Sequence, residues 1–298
     1  MIRYPVSRAR LEELIDAESG TWLSEAQQKK DRFKALKKYQ EQEGEATWSE
    51  IKAVYMTLQN GKCAYCERKF GQDAESKIEH DVEHFRPKSK VRSWPTKKIK
   101  DALKLNYSFK TGEASAVGYY LLAYEPFNYI VSCKKCNTIY KSDYFPIGGK
   151  VRFCDDDHPK TLAKEDAFLI YPLGSLDDDP ESLVTFQGII AVPKRSDGHK
   201  HDRARVTIDF FKLAVGRDEL LRERAVILKA LYWAIDDLET TNDPLRKAAA
   251  QQTVDLALSP SNPHTSCARS FYQLCQADPG TARQFYQAIS EYLETKGF

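Results

Sequence analysis

Two pairs of cysteines constrain the fold of this chain more than any other feature of its sequence. They are Cys63 with Cys66, and Cys133 with Cys136, each pair having two residues between its members. Two such pairs supply four thiolates, the ligand set with which Zn²⁺ forms tetrahedral sites. A redox-active pair and four ordinary buried cysteines are the alternatives, but the repeated spacing favours zinc.

The separation of the pairs indicates what this zinc does. Sixty-six residues lie between them, far more than the roughly 15 to 20 of a zinc ribbon. Four protein ligands leave no position for a water molecule, so we expect a structural ion that does not activate a nucleophile. The intervening segment is then presented by a zinc clasp.

Composition excludes several classes of protein. The chain has 298 residues, 42% hydrophobic and 30% charged, so it can bury a large core and is neither disordered nor collagen-like. Its apolar runs, such as residues 119–123, are far shorter than the roughly 18 to 20 residues of a membrane span, and residues 1–5 lack a signal-peptide core. We expect a cytoplasmic protein, in which cysteines serve as metal ligands or free thiols.

The hydrophobic pattern predicts an α+β, mainly helical protein with three zones. Residues 1–60 form an N-terminal helical region, and residues 61–150 hold the cysteine pairs and short strands. Residues 151–298 comprise an extended segment and then a C-terminal helical region from about residue 195.

Individual helices follow from periodicity and from capping residues. In the first zone we predict a short helix around Leu11, a second over Trp22 to Gln42, and a third from an N-cap at Ser49 to the Asn60-Gly61 stop. The later predicted helices cover Arg217 to Leu238, Asp243 to Ala257, Ser266 to Gln276 and Thr281 to Lys296.

A set of polar residues accompanies the cysteine pairs. Glu83 and His84 lie between the pairs, Asn128 stands five residues before the second pair, and Asn137 follows that pair directly. This arrangement resembles the HNH endonuclease superfamily. The resemblance implies a ββα-metal, treble-clef-like core held by the zinc clasp.

Further stretches resemble one branch of that superfamily, the HNH subunit of Septu-type and retron-linked anti-phage systems. They are residues 83–88, 118–124, 141–146, 169–172 and 179–181. The similarity covers about residues 50 to 230. It implies a DNA-cutting effector of phage defence that docks on an ATPase partner, which gates it.

The residue types suit phosphodiester hydrolysis on chemical grounds. His84 is our candidate general base, because a histidine with an ordinary pKa accepts a proton from water near neutral pH. Hard oxygen donors from Glu83 and Asn137 suit Mg²⁺ or Mn²⁺. The resemblance implies that these two hold one catalytic metal while Asn128 organises the loop. Asn137 stands where the family often has His, and it is a weaker, neutral ligand.

Strand geometry tests this assignment. Neighbours on a strand point to opposite faces, so Glu83 and His84 can serve one site only if the strand ends or bends there, and Pro87 favours such an end. His80 has the same parity as His84 and is a competing candidate. We favour His84 because Phe85 to Pro87 follow it, and we expect His80 at the surface or behind the site.

A basic stretch occupies the same zone. Residues 1–150 carry 27 basic and 20 acidic side chains, and the remainder carry 18 and 23. The stretch predicts contacts with a polyanion such as nucleic acid, although an isolated charge run is more often a solvated loop. Its candidate residues are Arg86, Lys88, Lys90, Arg92, Lys97, Lys98 and Lys100.

Three functions remain open at this stage. The first is a metal-dependent DNA endonuclease. The second uses the same site to cut RNA, such as tRNA, as an abortive-infection toxin. The third is a nucleic-acid-binding zinc protein without catalysis.

Overall fold

The computed structural model describes residues 1–40, 47–71 and 79–297. Helices dominate, and the strands form two small antiparallel pairs, so the α+β, mainly helical prediction is confirmed. Within these ranges, each helix is too short or too polar to cross a lipid bilayer.

The elements follow one another in this order: α1 Arg8–Glu18, α2 Trp22–Leu36, α3 Lys52–Leu58, β1 His80–His84, α4 Lys97–Leu103, β2 Tyr129–Cys133, α5 Pro159–Ala163, α6 Pro180–Leu183, β3 Val184–Gln187, β4 Ile190–Pro193, α7 Gly198–Phe211, α8 Asp218–Thr240, α9 Pro244–Leu258, α10 Thr265–Ala277 and α11 Pro279–Thr295. Short 3-10 turns occupy Tyr120–Leu122 and Pro126–Asn128, and a π-helical turn occupies Lys135–Lys141.

Two predicted helix boundaries were wrong. Helix α2 ends at Leu36, where Lys37 takes a left-handed conformation as C-cap, and Gln42 lies outside the described residues. Helix α3 begins at Lys52 with Ile51 as N-cap, so Ser49 belongs to the preceding turn. At the other end of α3, Asn60 and Gly61 both have positive φ, which is the conformation expected of a helix stop.

Strands β1 and β2 form the pair that carries the candidate site. His80 is opposite Cys133, Glu83 opposite Ile130, and His84 opposite Tyr129. The ββα comparison implies an α-helix after β2, whereas the structure has the π-helical turn there. The strand pair is therefore present and antiparallel, but the α-helix that the HNH resemblance implies after it is not found at this position.

A first hydrophobic core joins residues from Met1 to Leu220. Trp22 lies at its centre, where the indole packs 6.1 Å from the rings of both Tyr124 and Tyr129 and donates from Nε1 to the Thr47 carbonyl. Helix α7 also belongs to this core, since Phe211 stacks on Tyr65 at 3.9 Å. The predicted zone boundaries at residues 60 and 150 therefore do not separate hydrophobic cores.

A second core is formed mainly by α8 to α11, with Ile189 from the turn between β3 and β4. Its helices match the predicted C-terminal helices to within two residues at each end. Leu231 is buried in this core, whereas Trp233 is 52% exposed. The division between the cores thus falls between α7 and the body of α8.

The contrast between two tryptophans gives a test of this packing. Trp22→Ala should lower the free energy of unfolding by about 3–5 kcal/mol, because it leaves a large cavity and an unpaired carbonyl. Trp233→Ala, the same substitution at an exposed site, should change it by about 0.5 kcal/mol or less. Urea unfolding of both variants measures the difference, and equal losses would contradict the assigned core.

Candidate functional site

The four cysteines of the two pairs converge on one point. Their Sγ atoms all lie within 4.8 Å of one another, and those of Cys66 and Cys133 are 3.9 Å apart. A tetrahedral zinc thiolate site places its sulfurs about 3.8 Å apart, whereas a disulfide would hold two of them at about 2 Å. The cysteines are free thiols in a geometry compatible with a zinc site.

The backbone around the first pair is folded as a metal knuckle. Glu67 takes a left-handed conformation directly after Cys66, and its N–H donates to the Cys63 carbonyl. The N–H of Cys133, at the end of β2, donates to the Cys63 sulfur over 3.4 Å. One backbone donor, the Cys133 N–H, therefore already faces this sulfur, and such a hydrogen bond favours a thiolate ligand.

Gln59 joins the first pair to β2, and sequence reasoning missed it. The side chain is fully buried; its Nε2 donates to the carbonyls of Lys62 and Val131, and its Oε1 accepts from the Val131 N–H. A glutamine at the end of a helix gives no sequence signal of this role, because its partner Val131 lies 72 positions away.

His84 lies at the end of β1 under aromatic side chains. Trp48 and Tyr129 contact the imidazole edge to face at 5.1 and 5.0 Å, and the side chain is 9% exposed. Burial, and then the positive charge of Lys88, lower the pKa of His84 well below its ordinary value. The imidazole is therefore neutral at neutral pH.

The ring of His84 is oriented by one hydrogen bond. Its Nε2 lies 3.0 Å from the Ala123 carbonyl oxygen, which can only accept, so the proton of the neutral ring is on Nε2. Nδ1 makes no hydrogen bond to any residue in the described ranges. The neutral ring thus has its lone pair on Nδ1.

Glu83 is buried on the opposite face of β1 and pairs with Lys141, a second residue that sequence reasoning did not single out. Lys141 Nζ lies 3.4 Å from Glu83 Oε1 and donates to the His84 carbonyl. Burial raises the pKa of Glu83 to about 7, although the lysine charge opposes this shift. One ammonium group therefore touches both residues of the Glu-His pair.

Asn128 holds the loop that follows β1. Its Oδ1 accepts from the Arg86 N–H at 2.8 Å, and its Nδ2 donates to the carbonyls of Arg86 and Leu122. All of these bonds are to backbone, so the amide fixes the position of the chain on both sides. Asn128 is buried and acts through the backbone.

Asn137 lies in the π-helical turn directly after Cys136. Its carbonyl accepts from the Ser142 N–H, whereas its half-buried side-chain amide makes no hydrogen bond within the described part of the chain. The amide oxygen is a hard donor suited to a divalent cation.

His80 is buried, so of the two positions expected for it, at the surface or behind the site, the surface one is excluded. Its ring stacks on Phe70 at 4.3 Å, and Lys52 donates to its carbonyl. Its strand partner is Cys133, four register positions from the His84 pair. His80 therefore lies at the end of β1 that is next to the cysteine cluster.

The basic stretch divides into three groups by environment. Arg86 is committed inside the protein, with Nε 3.1 Å from the buried Glu165 carboxylate. Lys88 rests on the Trp48 ring with Nζ 3.4 Å from its centroid. The remaining members are exposed: Lys90 and Arg92 on either side of Asp143, and Lys97, Lys98 and Lys100 on α4.

Comparison with known proteins gives one informative match. Over 181 residues the chain is 29% identical to a Septu protein PtuB of Bacillus mycoides (strain KBAB4), an alignment that covers 60% of this chain. The chain spans about half the length of that curated relative. No protein-family model matches the sequence.

The zinc assignment gives a direct test. Cys136→Ser should reduce bound zinc well below one ion per chain and lower the unfolding temperature sharply, because zinc binding here contributes folding free energy. Elemental analysis and thermal unfolding measure the two effects. Cys154→Ser is the matched control, since this half-buried thiol lies outside the cluster and should leave the zinc content unchanged. Well-folded wild-type protein without zinc would contradict the assignment.

Proposed function

We propose that this chain is a metal-dependent HNH endonuclease that hydrolyses phosphodiester bonds in DNA. The observation that carries the proposal is that Glu83 and His84 end β1, that both are contacted by Lys141, and that β1 is paired with the strand that leads into the cysteine cluster. Asn128 directly precedes that second strand, and Asn137 lies within the π-helical turn that follows it. These are the residue types, in the chain order, that the HNH resemblance requires.

His84 serves as the general base in this proposal. The Ala123 carbonyl holds the proton on Nε2, so the Nδ1 lone pair accepts a proton from the attacking water. The lowered pKa keeps the imidazole in the neutral form that can accept a proton, but it makes His84 a weaker base than the ordinary histidine expected from the sequence. Trp48 covers this histidine and Lys88 lies over Trp48, so the proposal requires that Trp48 shifts when a phosphodiester binds.

Glu83 and Asn137 are the proposed ligands of the catalytic metal. The carboxylate and the unbonded amide oxygen match the hard donors that Mg²⁺ and Mn²⁺ prefer. A divalent cation bound there would offset charge on the phosphate and on the leaving oxygen. Lys141 neutralises the Glu83 carboxylate in the protein alone, and Asn128 fixes the loop that carries Arg86 and Lys88.

The relative supports two further parts of the proposal, a role in phage defence and a partner protein. Similarity to a Septu protein supports a role as the nuclease effector of an anti-phage system with an ATPase partner. The exposed Trp233 and the exposed apolar residues Leu245 and Leu256 of α9 offer a surface for that partner. Leu231, on the same helix as Trp233, is internal and does not contribute to this surface.

Replacement of His84 tests the chemistry. His84→Ala should lower Mg²⁺-dependent plasmid nicking by at least about 100-fold, the usual contribution of a general base, while zinc content stays at the wild-type level. His80→Gln is the competing variant and should keep near wild-type activity, provided that its unfolding temperature shows a folded protein.

The outcomes separate the three functions. Cleavage retained in His84→Ala and lost in folded His80→Gln would transfer the role of base to His80. Cleavage of RNA but not DNA by the wild type would identify an RNase. Nucleic-acid binding without cleavage of any substrate in the panel, with or without the partner, would leave a binding protein.

The exposed lysines of α4 give a test of substrate contact. Changing Lys97, Lys98 and Lys100 to Gln should flatten the slope of log binding constant against log salt by up to about three, near one per lost phosphate contact. The measurement uses His84→Ala protein so that the nucleic acid stays intact. The control changes three exposed lysines of the second half, Lys160, Lys164 and Lys247, and should leave the slope unchanged. Equal slopes for both triple variants would mean that the α4 lysines are solvated and do not contact phosphates.

A further inference from the structure

Arg217 contacts the cysteine cluster, although it lies far from both cysteine pairs in the sequence. It is the residue directly before α8 and is 7% exposed. One guanidinium nitrogen, Nη1, lies 3.4 Å from Cys136 Sγ, and the other, Nη2, lies 3.5 Å from Cys66 Sγ. The guanidinium therefore bridges a sulfur of the first cysteine pair and a sulfur of the second, and Nη1 also donates to the Phe211 carbonyl.

This contact answers an electrostatic need of the cluster. Four thiolates around one Zn²⁺ carry a net charge of about −2, and burying such a charge is costly unless cations or donors compensate it. Among the described residues, Arg217 supplies a cationic group, its guanidinium, that donates hydrogen bonds to these sulfurs. Arginine suits this position because its planar fork presents two parallel donors, which a lysine cannot.

A second connection to the C-terminal helices starts one residue after the first cysteine pair. The buried Glu67 carboxylate accepts from the N–H of Ser266, in the first turn of α10, at 3.2 Å, and also from the Ser266 hydroxyl. The His264 N–H donates to the Glu67 carbonyl. An anionic carboxylate at a helix N-terminus is favourable, so the knuckle itself anchors α10.

Surface ion pairs surround these two buried contacts. Arg68 lies 3.0 Å from Glu223, and Lys135, inside the second cysteine pair, lies 2.9 Å from Glu219. Exposed pairs contribute little each. The main polar ties in this region between the knuckle and α8 and α10 are therefore the buried contacts of Arg217 and Glu67, together with those of Lys62, whose Nζ donates to the Thr265 hydroxyl and the Asn262 carbonyl.

We infer that Arg217 is a positioning residue of the zinc centre, and that the centre, through Arg217 and Glu67, holds the helices α8 to α11 against the first core. The zinc site would then stabilise the docking of these helices in addition to the turns that contain the four cysteines. This inference does not depend on the proposed nuclease activity.

Zinc release tests the role of Arg217. Arg217→Met should speed transfer of zinc to a colorimetric chelator, 4-(2-pyridylazo)resorcinol, by about tenfold to a hundredfold, as loss of a residue hydrogen-bonded to a metal ligand does in other sites. Arg217→Lys, which keeps the charge but not the fork, should give an intermediate rate. The lysine variant keeps the test decisive if the methionine variant does not fold.

Arg224 provides the matched control. Arg224 is also buried and lies on α8, about two helical turns after Arg217. Its Nη1 donates to the carbonyls of Ile189 and Leu213 and not to sulfur. Arg224→Met should therefore release zinc at the wild-type rate even if it lowers stability. Equal release from the Arg217 and Arg224 variants, or a wild-type rate in Arg217→Met, would overturn the inference.

Hydrogen exchange on the full chain tests the docking. After zinc is removed from the wild type, amides at residues 216–221 and 265–268 should exchange faster while the interior amides of α9 keep their protection, because the second core has its own apolar packing. Loss of α9 protection in step with the other two segments, or no change at either, would contradict the inference.

Discussion

The convergence of four cysteine thiols is the constraint on which the rest of this structure depends. The thiols come from a loop after α3 and from the end of β2, segments that are 66 residues apart in the chain. Bringing them together fixes β2 beside the first knuckle, and β1 pairs with β2 along its whole length. Everything proposed for Glu83 and His84 follows from where that strand pair lies.

Burial then decides the state of the two candidate catalytic groups. His84 loses its solvent to Trp48 and Tyr129, which favours the uncharged ring, and a carbonyl fixes which nitrogen carries the proton. Glu83 also loses solvent, but it keeps Lys141 as a partner. Removing one member of such a buried pair leaves the other charge uncompensated, so Lys141 supports the site through Glu83. Lys141 begins the stretch 141–146 that resembles the HNH branch, although that resemblance gives it no role.

The C-terminal helices are attached by charge as well as by apolar contact. Arg217 and Glu67 sit on either side of the cysteine cluster and reach α8 and α10 respectively. This arrangement places the ends of two helices, where unpaired N–H groups collect, against the anionic knuckle region. The cysteine cluster and the second core are therefore neighbours in space, although residues 137–217 lie between Cys136 and α8 in the sequence.

The amino-acid sequence by itself determined the local features of this protein. The cysteine spacing identified the cluster because ligand chemistry depends on residue type, and the periodic apolar residues of α8 to α11 located those helices because helical burial repeats every few residues. Ser49 failed as an N-cap because a turn at residues 49–51 competes with the helix start. Such errors concern boundaries, where local preferences are nearly balanced.

Only the tertiary structure decided which partners these residues have. Gln59, Lys141 and Arg217 make their decisive contacts with residues 57 to 151 positions away, a separation that no local pattern encodes. The same folding committed Arg86 to the interior and left the lysines of α4 in solvent, although all of them belong to one basic run. Charge in a sequence gives the sign of an interaction, but burial and distance decide whether it forms, and both arise only when the chain folds.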